Sequence, residues 1–144
     1  MTQSHSPDAY RAHAAMQKLV LNQRDVRSAV ANATGVSFTR VRALRRLIEG
    51  PMRMSELAAL LGWDKPYTTI VIDDLEQRGL VTRNVAPDDR RAKVVELTEQ
   101  GRAIAVTAIQ ILAEPAPGLA HLDAEELAVV ATLLEKAAAD EAGG

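Results

Sequence analysis

The stretch from Gly79 to Thr98, GLVTRNVAPDDRRAKVVELT, constrains the fold of this chain more than any other. Two β-type runs, residues 80–83 (LVTR) and 93–97 (KVVEL), flank a turn that contains Pro87, Asp88 and Asp89, with Arg90 and Arg91 at its tip. A β-hairpin tipped with arginine suits DNA phosphates and a narrow minor groove. Two short helical segments precede it, and helix, turn, helix, basic hairpin is the order of a winged helix-turn-helix.

The flanking segments carry their own punctuation. Ser6-Pro7-Asp8 predicts a helix start. From Pro7 to about Ala33 there is no Gly and no further Pro, and Leu19, Val20, Val26, Ala29, Val30 and Ala33 form a rough helical stripe up to Gly35. Ser37 or Thr39 caps a second helix carrying Val41, Leu44, Leu47 and Ile48, ended by Gly50-Pro51. MSELAALL, residues 54–61, forms a short helix closed by Gly62, and Asp64 caps the next, which tolerates Pro66 in its first turn and ends at Gly79. Beyond the hairpin, Thr98 caps a helix running to about Ala113, broken by Pro115 and Pro117. Asp123 and Glu126 are spaced as a capping box for a last helix with an apolar stripe of Leu127, Val130, Leu133, Leu134 and Ala137, expected to fray from Ala138 onward.

Composition narrows the function classes. At 144 residues the chain fits one domain, and with 47% hydrophobic but only 3% aromatic residues its core must be packed by Ala, Leu, Val and Ile. The lack of cysteine excludes a disulfide scaffold, a zinc-thiolate site and a thiol redox sensor within the sequence. His5, His13 and His121 are far apart and join no metal-spacing pattern, which argues against a metal sensor. No nucleophile elbow, phosphate loop or dinucleotide fingerprint occurs, so neither catalysis nor a cofactor is expected. The first residues lack an apolar signal core and no run approaches ~18 uninterrupted apolar residues, which predicts a cytoplasmic protein. The net charge of −2 is unevenly spread: residues 40–93 hold 11 Lys/Arg against 8 Asp/Glu, a local +3, while the remainder is −5. A basic lobe joined to an acidic remainder suits a nucleic-acid reader.

With these residues laid out, the chain resembles the MarR family of transcriptional regulators over nearly its whole length. The segments that carry the resemblance are MSELAALLG, DDLEQRGLVTR and the wing PDDRRAKVVELTEQG. The resemblance implies a mainly α fold with a small β-hairpin wing: a winged helix-turn-helix lobe over residues 37–98, between dimerisation helices over 7–35 and 99–141. It implies a homodimer reading two half-sites of a pseudo-palindromic operator in double-stranded DNA. The helix opened by Asp64 would lie in the major groove and offer Lys65, Tyr67, Thr68, Thr69 and Asp73. Arg90 would enter the minor groove from the wing, supported by Arg83, Arg91 and Lys93, with Asp88 or Asp89 holding the wing and orienting Arg90.

The sequence departs from the family pattern at Ile70 and Asp74, where many members carry basic residues, which moves expected affinity onto the wing. It departs also at Arg53, placed here among the DNA contacts, where a Ser or Thr cap is common. Many members bind small aromatic acids or phenols in a crevice between the dimerisation part and the winged lobe, and release DNA on binding; His13, Met16, Arg46 and Trp63 are the candidate contacts. The expected function is thus a repressor released by such a ligand. Its alternative is a winged protein-interaction module without strong DNA binding, which Ile70, Asp74 and the net acidity would suit.

Overall fold

A computed structural model describes residues 5–21 and 26–141 of the chain. The fold is mainly helical with one three-stranded antiparallel sheet: α1 (Pro7–Leu21), α2 (Val26–Thr34), α3 (Phe38–Arg46), β1 (Met52–Arg53), α4 (Met54–Leu61), α5 (Lys65–Gln77), β2 (Val81–Ala86), β3 (Asp89–Leu97), α6 (Glu99–Leu112) and α7 (Ala124–Glu141). The long first helix expected from sequence is described as α1 and α2, and residues 22–25 between them lie outside the described residues. Two compact units emerge, residues 24–114 and residues 1–23 with 115–144.

The larger unit is a winged helix. Its core gathers Val30, Val41, Leu44, Leu47, Leu57, Val71, Ile72, Leu75, Val81, Val95, Ala105 and Ala108. The expected lobe of residues 37–98 is therefore narrower than the packed unit, because α2 and α6 bring Val30, Ala105 and Ala108 into the same core. Ser37 rather than Thr39 caps α3, its hydroxyl accepting from the Arg40 N–H at 3.4 Å. Gly62 closes α4 in the left-handed conformation (φ +68°), a turn that disfavours any residue with a Cβ. Asp64 then caps α5, accepting from the Tyr67 N–H at 2.8 Å. This close pair of helices sets α5 against β2 and the outer wing.

The wing is longer than its sequence pattern. β3 pairs with β1 on one side and β2 on the other, with Arg53 opposite Val94 and Arg83 opposite Val95. Ala86 pairs with Asp89, leaving Pro87 and Asp88 as the two-residue turn. The tip is thus Pro87-Asp88, and the expected arginine tip is corrected. Val85 pairs with Lys93, so residues 90–92 face no partner in β2 and bulge from the ladder. The bulge lifts Arg90 and Arg91 out of the regular sheet.

The smaller unit contains α1, a 3₁₀ turn (Pro117–His121) and α7. Asp123 and Glu126 form the expected reciprocal cap, at 2.9 and 3.1 Å. α7 runs to Glu141, and residues 142–144 of the stretch expected to fray lie outside the described residues. None of the described residues of this unit is buried. Tyr10, Val20, Leu21, Val129 and Leu133 are each more than half exposed, and Leu134 is 44% exposed. The α7 stripe read from the sequence is present and largely uncovered, whereas Val26 and Val30 of the first stripe pack with the winged core.

One stretch, Glu99–His121, is long and apolar enough to cross a membrane by length and composition. α6 ends within it at Leu112, ahead of Pro115, and Gly101, Ala105 and Ala108 are buried in the winged core. That buried face is narrow, and Val106 and Ile109 on the same helix are exposed.

Candidate nucleic-acid interface

Between α4, α5 and the wing lies an open groove of about 630 Å³. Its walls combine the small side chains Ser55, Ala58, Ala59 and Ala92 with Trp63, Thr69 and the cations Arg53, Lys65, Arg83, Arg91 and Lys93. Five positive side chains around a groove bordered by small residues leave room and charge for a phosphate backbone. Trp63, a candidate ligand contact by sequence, forms a wall of this groove and packs edge-on against Tyr67, ring centroids 5.2 Å apart.

The ion pairs divide these cations in a way that sequence does not show. Arg83 pairs with Asp73 at 2.6 Å and with Glu76 at 3.4 Å, tying the base of the wing to α5. Asp73 and Arg83, both expected to meet DNA, are occupied with each other. Arg53 caps nothing with its side chain; it reaches across 35 residues of sequence to pair with Asp88 in the wing turn at 2.5 Å. Asp89 accepts from the Arg91 backbone N–H at 2.9 Å. The wing-holding role expected for Asp88 and Asp89 has this form, but neither bonds to the Arg90 side chain, which is exposed beside the turn. Lys65, Arg90, Arg91 and Lys93 have no ion pair among the described residues and stand free.

Thr68 corrects another expectation. It is 1% exposed and its hydroxyl donates to the Asp64 carbonyl at 2.7 Å, so it packs at the floor of the groove with its hydroxyl committed within the helix. The Thr69 hydroxyl donates to the Lys65 carbonyl at 3.0 Å, and Tyr67 is 41% exposed. Of the remaining candidate ligand contacts, His13 and Met16 are on exposed positions of α1, and Arg46 ends α3 in solvent.

Asp74 explains one departure from the family pattern. Its carboxylate takes a hydrogen bond from Arg40 Nε at 2.7 Å and an ion pair from Arg78 at 3.0 Å. These two guanidinium groups, Arg40 foremost, hold its pKa below the ordinary carboxylate value. The acid clamps α5 to α3, with its charge compensated before any DNA approaches. Asp88 is lowered likewise, chiefly by Arg53. A carboxylate lowered in the folded state stabilises the fold above its ordinary pKa, and that contribution is lost as pH falls through the lowered value. Asp74→Asn is therefore expected to lower the thermal midpoint at neutral pH and to converge on the wild-type midpoint in strong acid. Parallel melting curves from pH 7 to 2.5 check this, and a gap that persists at low pH would contradict it.

A model of the MarR family matches residues 34–92, which spans α3, α4, α5, β2 and the wing turn. The apo form of MarR from E. coli matches with a TM-score of 0.72 at 24% identity, covering 92% of this chain and 97% of that one. Residues 34–92 thus match the MarR family, and the fold around them is a winged helix. Among other MarR-like structures, a probable transcriptional regulator from Pseudomonas aeruginosa is 28% identical, with a TM-score of 0.57 over 91% of this chain and 96% of that chain. A cysteine-to-serine mutant of E. coli MarR complexed with operator DNA is 25% identical, with a TM-score of 0.61 over 91% and 93% of the two chains. NadR in complex with 4-hydroxyphenylacetate is similar at 21% identity, with a TM-score of 0.62 over 96% of each chain.

Sequence reasoning missed the pairings that decide which cations are free. Arg40–Asp74 and Arg53–Asp88 join residues 34 and 35 positions apart, and no local spacing signals them.

Proposed function

We propose that this protein is a cytoplasmic, homodimeric, DNA-binding repressor of the MarR family, released from its operator by a small aromatic acid. The observation that carries the reading is the set of free cations, Lys65, Arg91 and Lys93 around the groove and Arg90 beside it, next to a helix built like a recognition helix. The operator complex of the E. coli MarR mutant supports DNA as the partner. The 4-hydroxyphenylacetate complex of NadR supports the ligand class.

A second copy is the natural cover for the smaller unit. Apolar side chains left exposed along α1 and α7 cost solvation in a monomer, and a two-fold partner would bury them while doubling the number of half-sites read. Light scattering at micromolar concentration is expected to return twice the chain mass of 15.5 kDa. A monomer mass would contradict the dimer. The function itself is tested by gel shift of a duplex taken from upstream of the protein's own coding region. Specific retardation with a Kd on the order of 10⁻⁸ M or tighter, reversed by added 4-hydroxyphenylacetate, is the expected result. No retarded band at low salt would contradict DNA binding, and a band indifferent to aromatic acids would contradict the ligand class.

A further inference from the structure

We infer that Ile70 makes the centre of the α5 surface a reader of thymine methyl groups and not of guanine, an inference that rests on the DNA-binding reading above. Helical period places Pro66, Ile70, Asp73 and Gln77 along one ridge, opposite the buried Thr68, Val71, Ile72 and Leu75. Ile70 is 62% exposed, so a large branched apolar side chain stands in solvent at the middle of this ridge with no packing role.

The polar groups around it are committed elsewhere. Asp73 is drawn to one side by Arg83 at 2.6 Å, and Asp74 to the other by Arg40 and Arg78 at 2.7 and 3.0 Å. The Thr69 hydroxyl is bonded within the helix at 3.0 Å, which leaves its methyl as the group it can offer. Lys65 is the one cation within α5, and it belongs to the groove beneath the wing. In the major groove guanine presents two acceptors, read by Arg or Lys, whereas thymine presents a 5-methyl group, read by apolar contact. A ridge with no Arg or Lys and an exposed isoleucine at its centre fits the second pattern. The flanking cations fix the backbone while Ile70 supplies preference at the base edge.

The test uses the full chain and a pool of duplexes with a randomised core. The duplex the protein enriches is remade with deoxyuridine in place of thymidine, which removes the 5-methyl groups and leaves base pairing intact. Wild type is expected to bind the deoxyuridine duplex about fourfold more weakly for each contacted methyl, the transfer preference of one buried carbon. Ile70→Ala is expected to lose most of this discrimination, and Ile70→Arg to enrich guanine where wild type enriches thymine. Because Ile70 is exposed, both variants are expected to keep the wild-type unfolding midpoint. Equal wild-type affinity for the two duplexes, or discrimination undiminished in Ile70→Ala, would overturn the inference while leaving DNA binding in place. A pool from which nothing is enriched would overturn the DNA-binding reading and the inference with it.

Discussion

Gly101→Ala is expected to destabilise the fold by about 3 kcal/mol, at the upper end of overpacking costs. A Cβ built at this position falls 1.9 Å from the Leu80 carbonyl oxygen and 2.9 Å from its carbon. The obstacle is backbone, and it is pinned: the Leu80 carbonyl accepts from the Thr98 N–H at 3.1 Å, and the Leu80 N–H donates to Leu75 at 3.0 Å. Thr98 in turn donates its hydroxyl to the Gly79 carbonyl at 2.7 Å and accepts from the Gly101 N–H at 3.1 Å. Moving α6 away would drag this cap and the buried Ala105 and Ala108 with it. In an unobstructed helix the same substitution stabilises by up to about 1 kcal/mol, so the sign of the change is diagnostic. A thermal midpoint lowered by roughly 10 °C is the expected reading for a chain of this size. An unchanged or raised midpoint would mean that α6 does not approach Leu80 this closely.

The second large effect separates free from occupied cations. Arg90→Ala is expected to weaken DNA binding by on the order of 1–3 kcal/mol if the wing enters a groove. Arg91→Ala with Lys93→Ala is expected to flatten the dependence of log affinity on log salt by about 2 for each lobe bound, since each phosphate contact contributes about 0.9. Arg83→Ala is expected to act differently. Its guanidinium already faces Asp73 and Glu76, so its removal loosens the wing from α5 and frees two carboxylates at the interface. Affinity should fall with a salt slope that changes less than in the Arg91 and Lys93 variant. Isothermal titrations at three salt concentrations distinguish the two classes; identical slopes for both would contradict the division.

Much of the fold was legible because its signals are local. Caps at Ser37, Asp64, Thr98 and Asp123, and glycine stops at Gly35, Gly50, Gly62 and Gly79, depend on a few neighbouring residues, and the structure uses each. The hairpin was legible for the same reason, although its bulge was not: the register shift between Val85 and Ala86 leaves residues 90–92 unpaired with β2, and no residue type in the turn marks it. Gly101 stands in the sequence as part of a helix start, and only the approach of Leu80, 21 residues earlier, shows why a side chain has no room there. In the candidate site the residue types were legible and their states were not. Arginine at 53, 83, 90 and 91 reads alike in sequence, yet long-range carboxylates occupy the first two and leave the last two free. Thr68 and Thr69 are adjacent, chemically identical and both border the groove, but helical period buries Thr68 and leaves Thr69 half-buried.

The central claim is that the free cations of the wing and of the groove beside α5 bind DNA. Its most direct test is fluorescence anisotropy of labelled duplexes from the upstream region of the protein's own coding sequence, titrated with the full chain at 50 and 200 mM salt. With roughly four phosphate contacts per lobe and two lobes bound, affinity for one preferred duplex is predicted to fall by on the order of 10⁴-fold between the two conditions. Affinity that is absent at 50 mM salt, or unaffected by the change, would contradict the account and favour a winged module that binds another protein through apolar contacts.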